Sequence, residues 1–188
     1  MAKVKFGLSN VHIFPIESTD EDGKPTYGTS FRLPGAVSIT VEPAGNSTTF
    51  HGDNGVYFQT GSNSGYTGSL EVALVTDEWR EKILGQTKDA NGVMIEKSSD
   101  RSTEFAMTYQ VENDVSNSKR IFYRCSATRP GDSNQTVTDT VTVQTEEFDF
   151  AAMPRINDGM VKATSPGTAE AEATWNTAVY EEVAVEGA

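Results

Sequence analysis

Few residues in this chain are of a type and spacing to do covalent chemistry. The one thiol, Cys125, lies in Phe122-Tyr123-Arg124-Cys125-Ser126-Ala127. Period-two spacing places it with Ile121 and Tyr123 on the inward side of a strand, where it reads as a small buried residue and not a nucleophile. With only His12 and His51 to join it, a Cys/His zinc site cannot be built. Asp20-Glu21-Asp22-Gly23 opens like a calcium loop, but the remaining ligands do not follow at EF-hand spacing. Gly61-Ser62-Asn63-Ser64-Gly65 is glycine-rich without a Walker lysine, so it reads as a strand connection. Glu146 and Glu147 are adjacent in an extended run and face opposite sides, which rules them out as a glycosidase pair. There is no G-x-S-x-G elbow. The sequence is read as non-enzymatic, with no cofactor and no metal.

Charge narrows the partners. Lys plus Arg number 15 against 27 for Asp plus Glu, a net charge of −12 and a pI near 4.5. A nucleic-acid binder gains affinity by replacing counterions with Lys and Arg, and no basic stripe appears beyond Lys119-Arg120. The N-terminal MAKVKFGLSN lacks the apolar run of a signal peptide, and no stretch approaches membrane-spanning length. The expectation is a soluble protein without a membrane partner. Asn46-Ser47-Thr48 and Asn134-Gln135-Thr136 match the glycosylation sequon but read as polar turns.

The elements that would position any site are mostly strands. At 188 residues the chain suits one domain, 1–188, and its wealth of Thr and Val favours half-buried pleated surfaces. Val4 to Phe14 reads as extended, with Pro15 ending its pairing. Residues 15–35 form a long arm anchored by Tyr27, Phe31 and Leu33. Ala36 to Glu42 alternates Val37, Ile39 and Val41 against Ser38, Thr40 and Glu42. Tyr66 to Val75 does the same with Tyr66, Leu70, Val72 and Leu74 against Thr67, Ser69, Glu71 and Ala73. Between them, residues 43–65 predict a projecting hairpin, Thr48 to His51 and Val56 to Thr60, turning on Asp53-Asn54-Gly55. Thr76 caps a short helix ending at Gly85, with Trp79 and Ile83 on its buried face. Strands follow at Thr103 to Glu112, Arg120 to Thr128 and, as the longest run, Thr136 to Phe150. Gly159 to Thr164 adds a short strand, and Thr168 to Val183 reads as a weak helix within a C-terminal extension, 165–188.

Three pieces of text carry a resemblance. The opening MAKVKFGLSNVHIFPI, the block from Pro34 to Gly85 and the stretch RIFYRCSATRP are similar to the major tail proteins of long-tailed phages of Gram-positive bacteria, the phi13-type tail tube proteins. The most specific parts are Asp53-Asn54-Gly55-Val56-Tyr57, Gly65-Tyr66-x-Gly68-x-Leu70-Glu71-Val72-Ala73-Leu74 and Cys125-Ser126-Ala127-Thr128-Arg129-Pro130. The likeness runs from residue 1 to about 165.

The resemblance implies a mainly β fold, a β-sandwich or rolled β-barrel with one flanking short α-helix. It also implies six copies closing into a ring, with rings stacking into a tail tube that conducts the genome. Its partners would be copies of itself, the tape measure protein, the distal tail and tail terminator proteins, and double-stranded DNA in non-binding passage. Its location would be the virion tail. Under that reading the polar faces line the lumen through Ser38, Thr40, Glu42, Thr67, Ser69, Glu71, Thr138, Thr140, Thr142 and Gln144. The hairpin residues Asn46, Thr48, Phe50, Asp53, Asn54, Gly55 and Tyr57 bridge stacked rings. The alternative is a monomeric virion β-sandwich that binds a receptor or sugar, which would need a concave aromatic patch; Tyr57, Tyr66, Tyr123 and Trp175 are scattered in the sequence.

Overall fold

A computed structural model describes residues 3–113, 115, 117–136, 143–165, 167 and 173–183. The chain is mainly β. Strands β1 (Lys5–Thr19), β2 (Pro25–Tyr27), β3 (Phe31–Arg32) and β4 (Ala36–Ala44) are followed by the hairpin β5 (Ser47–Gly52) and β6 (Gly55–Gly61). Strand β7 (Gly65–Val72) leads into helix α1 (Asp77–Lys82). The remainder is β8 (Thr87–Lys88), β9 (Met94–Ile95), β10 (Phe105–Asn113), β11 (Ser118–Ala127), β12 (Glu146–Ala152) and β13 (Lys162–Thr164). One large antiparallel sheet has the order β2-β1-β10-β11-β12-β7-β4, with β13 on β11 and β3 on β1. Its two long outer strands, β1 and β4, come into contact without forming a ladder. The hairpin β5–β6 and the pair β8–β9 are separate sheets.

The core lies on one side of this sheet. Val11, Ile13, Leu70, Val72, Phe105, Met107, Phe122, Phe148 and Phe150 are buried there. Helix α1 is too short to stand alone; the Thr76 hydroxyl accepts from Trp79 N at 3.3 Å, and the helix is pinned by Trp79. That indole is fully buried, 4.5 Å from the Phe148 ring and 5.1 Å from Phe105. One glycine is required by close approach: a Cβ on Gly68 would stand 2.1 Å from the Thr40 carbonyl oxygen and 3.0 Å from the Phe150 ring.

Several expectations are corrected. Pro15 does not end β1, because a proline withdraws only one donor. Its carbonyl accepts from Gly28 N at 2.8 Å, and beyond it the strand pairs β2. The arm is accordingly tied down, with Phe31 and Leu33 buried and the Tyr27 hydroxyl donating to the Tyr123 carbonyl at 3.0 Å. A register shift between Ala36 and Ser38 turns Ala36 inward beside Ile39 and Val41, leaving Val37 exposed. Strand β7 stops at Val72, so Leu74 is exposed and Val75 buried. Among the described residues of the expected run 136–150, strand begins at Glu146. Residues 173–183 form turns and irregular backbone, not a helix.

Cys125 is also regrouped. A register shift in the β10–β11 ladder turns it to the main core beside Phe122. Ile121 and Tyr123 pack on the opposite face with Trp175, Met160, Val179 and Tyr180. Strand β11 is thus buried on both sides. The buried Arg155 closes the second cluster, 4.7 Å over the Tyr123 ring and bonded to Glu181 at 2.8 and 2.9 Å and to Asp158.

Candidate functional surfaces

Cross-strand pairing decides which polar residues share a face, because directly opposite residues project to the same side. Strand β4 pairs β7 so that Ser38 meets Glu71, Thr40 meets Ser69 and Glu42 meets Thr67. Six of the residues expected to act together are therefore neighbours. Strand β12 extends the face on the far side of β7, where Glu147 meets Glu71, Asp149 meets Ser69 and Ala151 meets Thr67. A broad concavity of about 630 Å³ lies over this surface, lined by Thr40, Glu42, Thr67, Ser69, Thr128 and Asp149.

The electrostatics of the face follow from its composition. Like charges directly opposite one another repel, and Glu71 and Glu147 are such a pair. Among the described residues no cation relieves it. Instead Glu71 accepts from the Thr145 hydroxyl at 2.6 Å and from the Ser38 hydroxyl at 2.9 Å. Those two hydrogen bonds, Thr145 first, hold its carboxyl below the ordinary value. Among the described residues none of Glu42, Glu71, Glu147 and Asp149 is in an ion pair. Arg129, at the border, is engaged by Glu96. Glu146, one residue from Glu147, turns to the other side as its position requires, accepting from Val75 N and from Arg80 at 3.1 Å.

Of the remaining expected face residues, Thr138, Thr140 and Thr142 lie outside the described residues. Gln144 is half-buried off the strand, its amide oxygen accepting from Gln135 N at 3.0 Å. Sequence reasoning missed Glu147, Asp149, Thr128 and Thr145, whose membership depends on β12 lying beside β7. The adjacency of Glu146 and Glu147 already told that one of them must face outward.

The second surface is the hairpin. Asp53 and Asn54 take φ of 51° and 61°, the left-handed pair that a two-residue type I′ turn needs and that Asn, Asp and Gly accept. Thr48 pairs Thr60 and Phe50 pairs Phe58, with a register shift next to Tyr57. Phe50 and Tyr57 make an edge contact at 6.3 Å, yet Phe50 is 61% and Tyr57 76% exposed. Val56 and Phe58 are exposed as well. Asn46 closes the base, its backbone bonded to Ser62. Large apolar side chains held in a fixed register without cover mark a contact surface.

The residues considered for chemistry or sugar binding are not gathered. Cys125 is fully buried and burial pushes its thiol well above the ordinary value. Tyr123 and Trp175 are in the second cluster, Tyr66 is half-buried against Phe122, and of the four aromatics only Tyr57 is exposed. Among the described residues no cluster of His, Cys, Asp and Glu could hold a metal, and no helix is long and apolar enough to cross a membrane. Comparison with protein-family models finds no match, and the sequence matches none of the curated proteins searched.

Proposed function

We propose that the chain is a non-catalytic structural subunit that assembles with copies of itself into stacked hexameric rings, forming a tail tube for DNA passage. The observation that carries this reading is the three-strand face of β4, β7 and β12. It bears four carboxylates without an ion pair among the described residues, interleaved with short hydroxyls. Such a wall offers phosphates no cation to exchange for their counterions. Within a Debye length of about 8 Å at physiological ionic strength it repels them. The contact between β1 and β4 supports the finer fold reading, a sheet rolled towards a barrel, with this face turned to the lumen. The exposed aromatic hairpin supports ring stacking, since a ring-on-ring contact joins unlike patches of successive copies. The tape measure, distal tail and terminator partners and the virion location follow from the family resemblance.

Electron microscopy of the concentrated protein tests the assembly: tubes or six-fold rings are expected, and a solution that stays monomeric at every concentration counts against it. The lumen assignment is tested by replacing Glu42 and Glu71 with Lys. Tubes should form and DNA ejection should slow; unaltered ejection would sink the assignment.

A further inference from the structure

Where β1 and β4 meet without a ladder, a groove of about 540 Å³ opens. Its lining mixes polar groups with the apolar side chains of Leu8, Ile39, Val41, Tyr66 and Tyr109, and includes the exposed Phe6 and Val37. Lys5, Arg120 and Lys162 also line it. Three cations converging in a chain of net charge −12 are unexpected, and among the described residues none of the three is in an ion pair. Two of them rest instead on aromatic faces: Lys162 Nζ lies 5.0 Å from the Tyr66 ring centre and 5.6 Å from Phe122, and the Arg120 guanidinium 6.0 Å from Tyr109. The Arg120 Nε is buried without an acceptor. Burial, then the charges of Arg120 and Lys5, pulls the Lys162 amine below its ordinary value.

The groove therefore wants apolar groups and one or more carboxylates. The hairpin β5–β6 has that composition. Phe50, Val56, Tyr57 and Phe58 are its uncovered apolar side chains, and Asp53, its one carboxylate, stands at the tip. The cavity falls within the roughly 300–1,000 Å³ range of sites that enclose a compact group, room for a hairpin tip and not for a whole domain. In its own chain the hairpin leaves these side chains exposed, which leaves them open to a second copy. We infer that the β5–β6 hairpin of one copy docks into the β1–β4 groove of a second, its apolar side chains against Leu8, Ile39 and Val41 and its Asp53 carboxylate among Lys5, Arg120 and Lys162. The contact is heterologous and propagates. It rests on the stacking reading above and names the receiving site.

Disulfide trapping tests it. The native Cys125 is buried and does not compete. Full-length His51→Cys protein is mixed with Val37→Cys protein under mild oxidant and compared with a mixture of His51→Cys and Glu182→Cys. At least a tenfold excess of the mixed disulfide over the control is expected. Adding Asp53→Lys to the hairpin copy should cut that yield at least fivefold, and adding Lys5→Glu to the receiving copy should recover it. Equal yields in the two mixtures would overturn the pairing. So would a Glu21→Cys protein that traps Val37→Cys better than His51→Cys does, since the exposed acidic turn at residues 20–22 would then be the occupant. Micrographs of the same samples separate the two readings: tubes without the disulfide remove the groove and leave the tube, whereas the disulfide without tubes does the reverse.

Discussion

Ser38 on β4 stands directly opposite Glu71 on β7 and donates its hydroxyl to Glu71 Oε2 at 2.9 Å. Thr145 holds the other oxygen at 2.6 Å. A carboxylate fixed by hydroxyls keeps its charge where one fixed by Lys or Arg would be cancelled, so the face stays negative while its geometry is set.

This arrangement fixes a pH dependence. Hydrogen bonds to the ionised form depress the folded-state value of Glu71, so its stabilising contribution is complete above the unfolded carboxyl value, near 4.3. It is lost as pH falls through the lower folded value. Glu71→Gln should show a smaller loss of thermal midpoint between pH 6 and pH 3 than the parent protein; identical losses would contradict the account.

At the alkaline end Tyr27 and Tyr123 give the opposite sign. Burial pushes both hydroxyls up to about 12, against the opposing pull of Arg155. An unfolded Tyr ionises near 10, so the stability these groups contribute is full below pH 10 and is lost as pH rises towards 12. Denaturant midpoints measured from pH 8 to pH 12 should fall steeply over the last two units, and less steeply in Tyr27→Phe.

Trp79→Ala removes the indole that joins α1 to Phe105 and Phe148. A cost of about 3–5 kcal/mol is expected from the cavity left behind, read from urea unfolding. Gly68→Ala tests the close passage of β7 beneath the Thr40 carbonyl and should cost about 1–3 kcal/mol through overpacking, although the added group is a single methyl.

Deleting residues 46–54 leaves the main sheet untouched, because the hairpin is a separate two-stranded sheet. The thermal midpoint of the monomer should be unchanged, while tubes become short or absent by electron microscopy. Tubes of normal length and yield would remove the hairpin from ring stacking.

What the sequence made legible was local. Asp53-Asn54-Gly55 announced its turn because backbone signs there depend on a few residues, and Thr76 announced its cap for the same reason. The alternation of Ser38-Thr40-Glu42 and Thr67-Ser69-Glu71 grouped each set on one face of its strand, but did not tell that the register sets them side by side. Errors arose where one residue changes phase: the shift at Val37 and that in β11 each reversed a face assignment that period-two reading must get wrong. The remaining omissions were distant in sequence. Lys5, Arg120 and Lys162 line one groove only because β10 joins β1 to β11 and β13 pairs β11, and Arg155 meets Glu181 across 26 residues. Neither encounter leaves a local pattern.

The hairpin's separation from the main sheet has a kinetic side. A lone two-stranded ribbon in water is marginally stable, so in the free subunit its register rests on one turn and a few cross-strand pairs. Docking would supply the missing layer, and the first docked pair would bear an ordering cost that later additions on a formed template do not repeat. Growth of that kind has a lag and a critical concentration. On the proposed docking, the turn at Asp53-Asn54 would act as a timing element: a substitution that stiffens it should shorten the lag, and one that loosens it should let subunits accumulate without elongating.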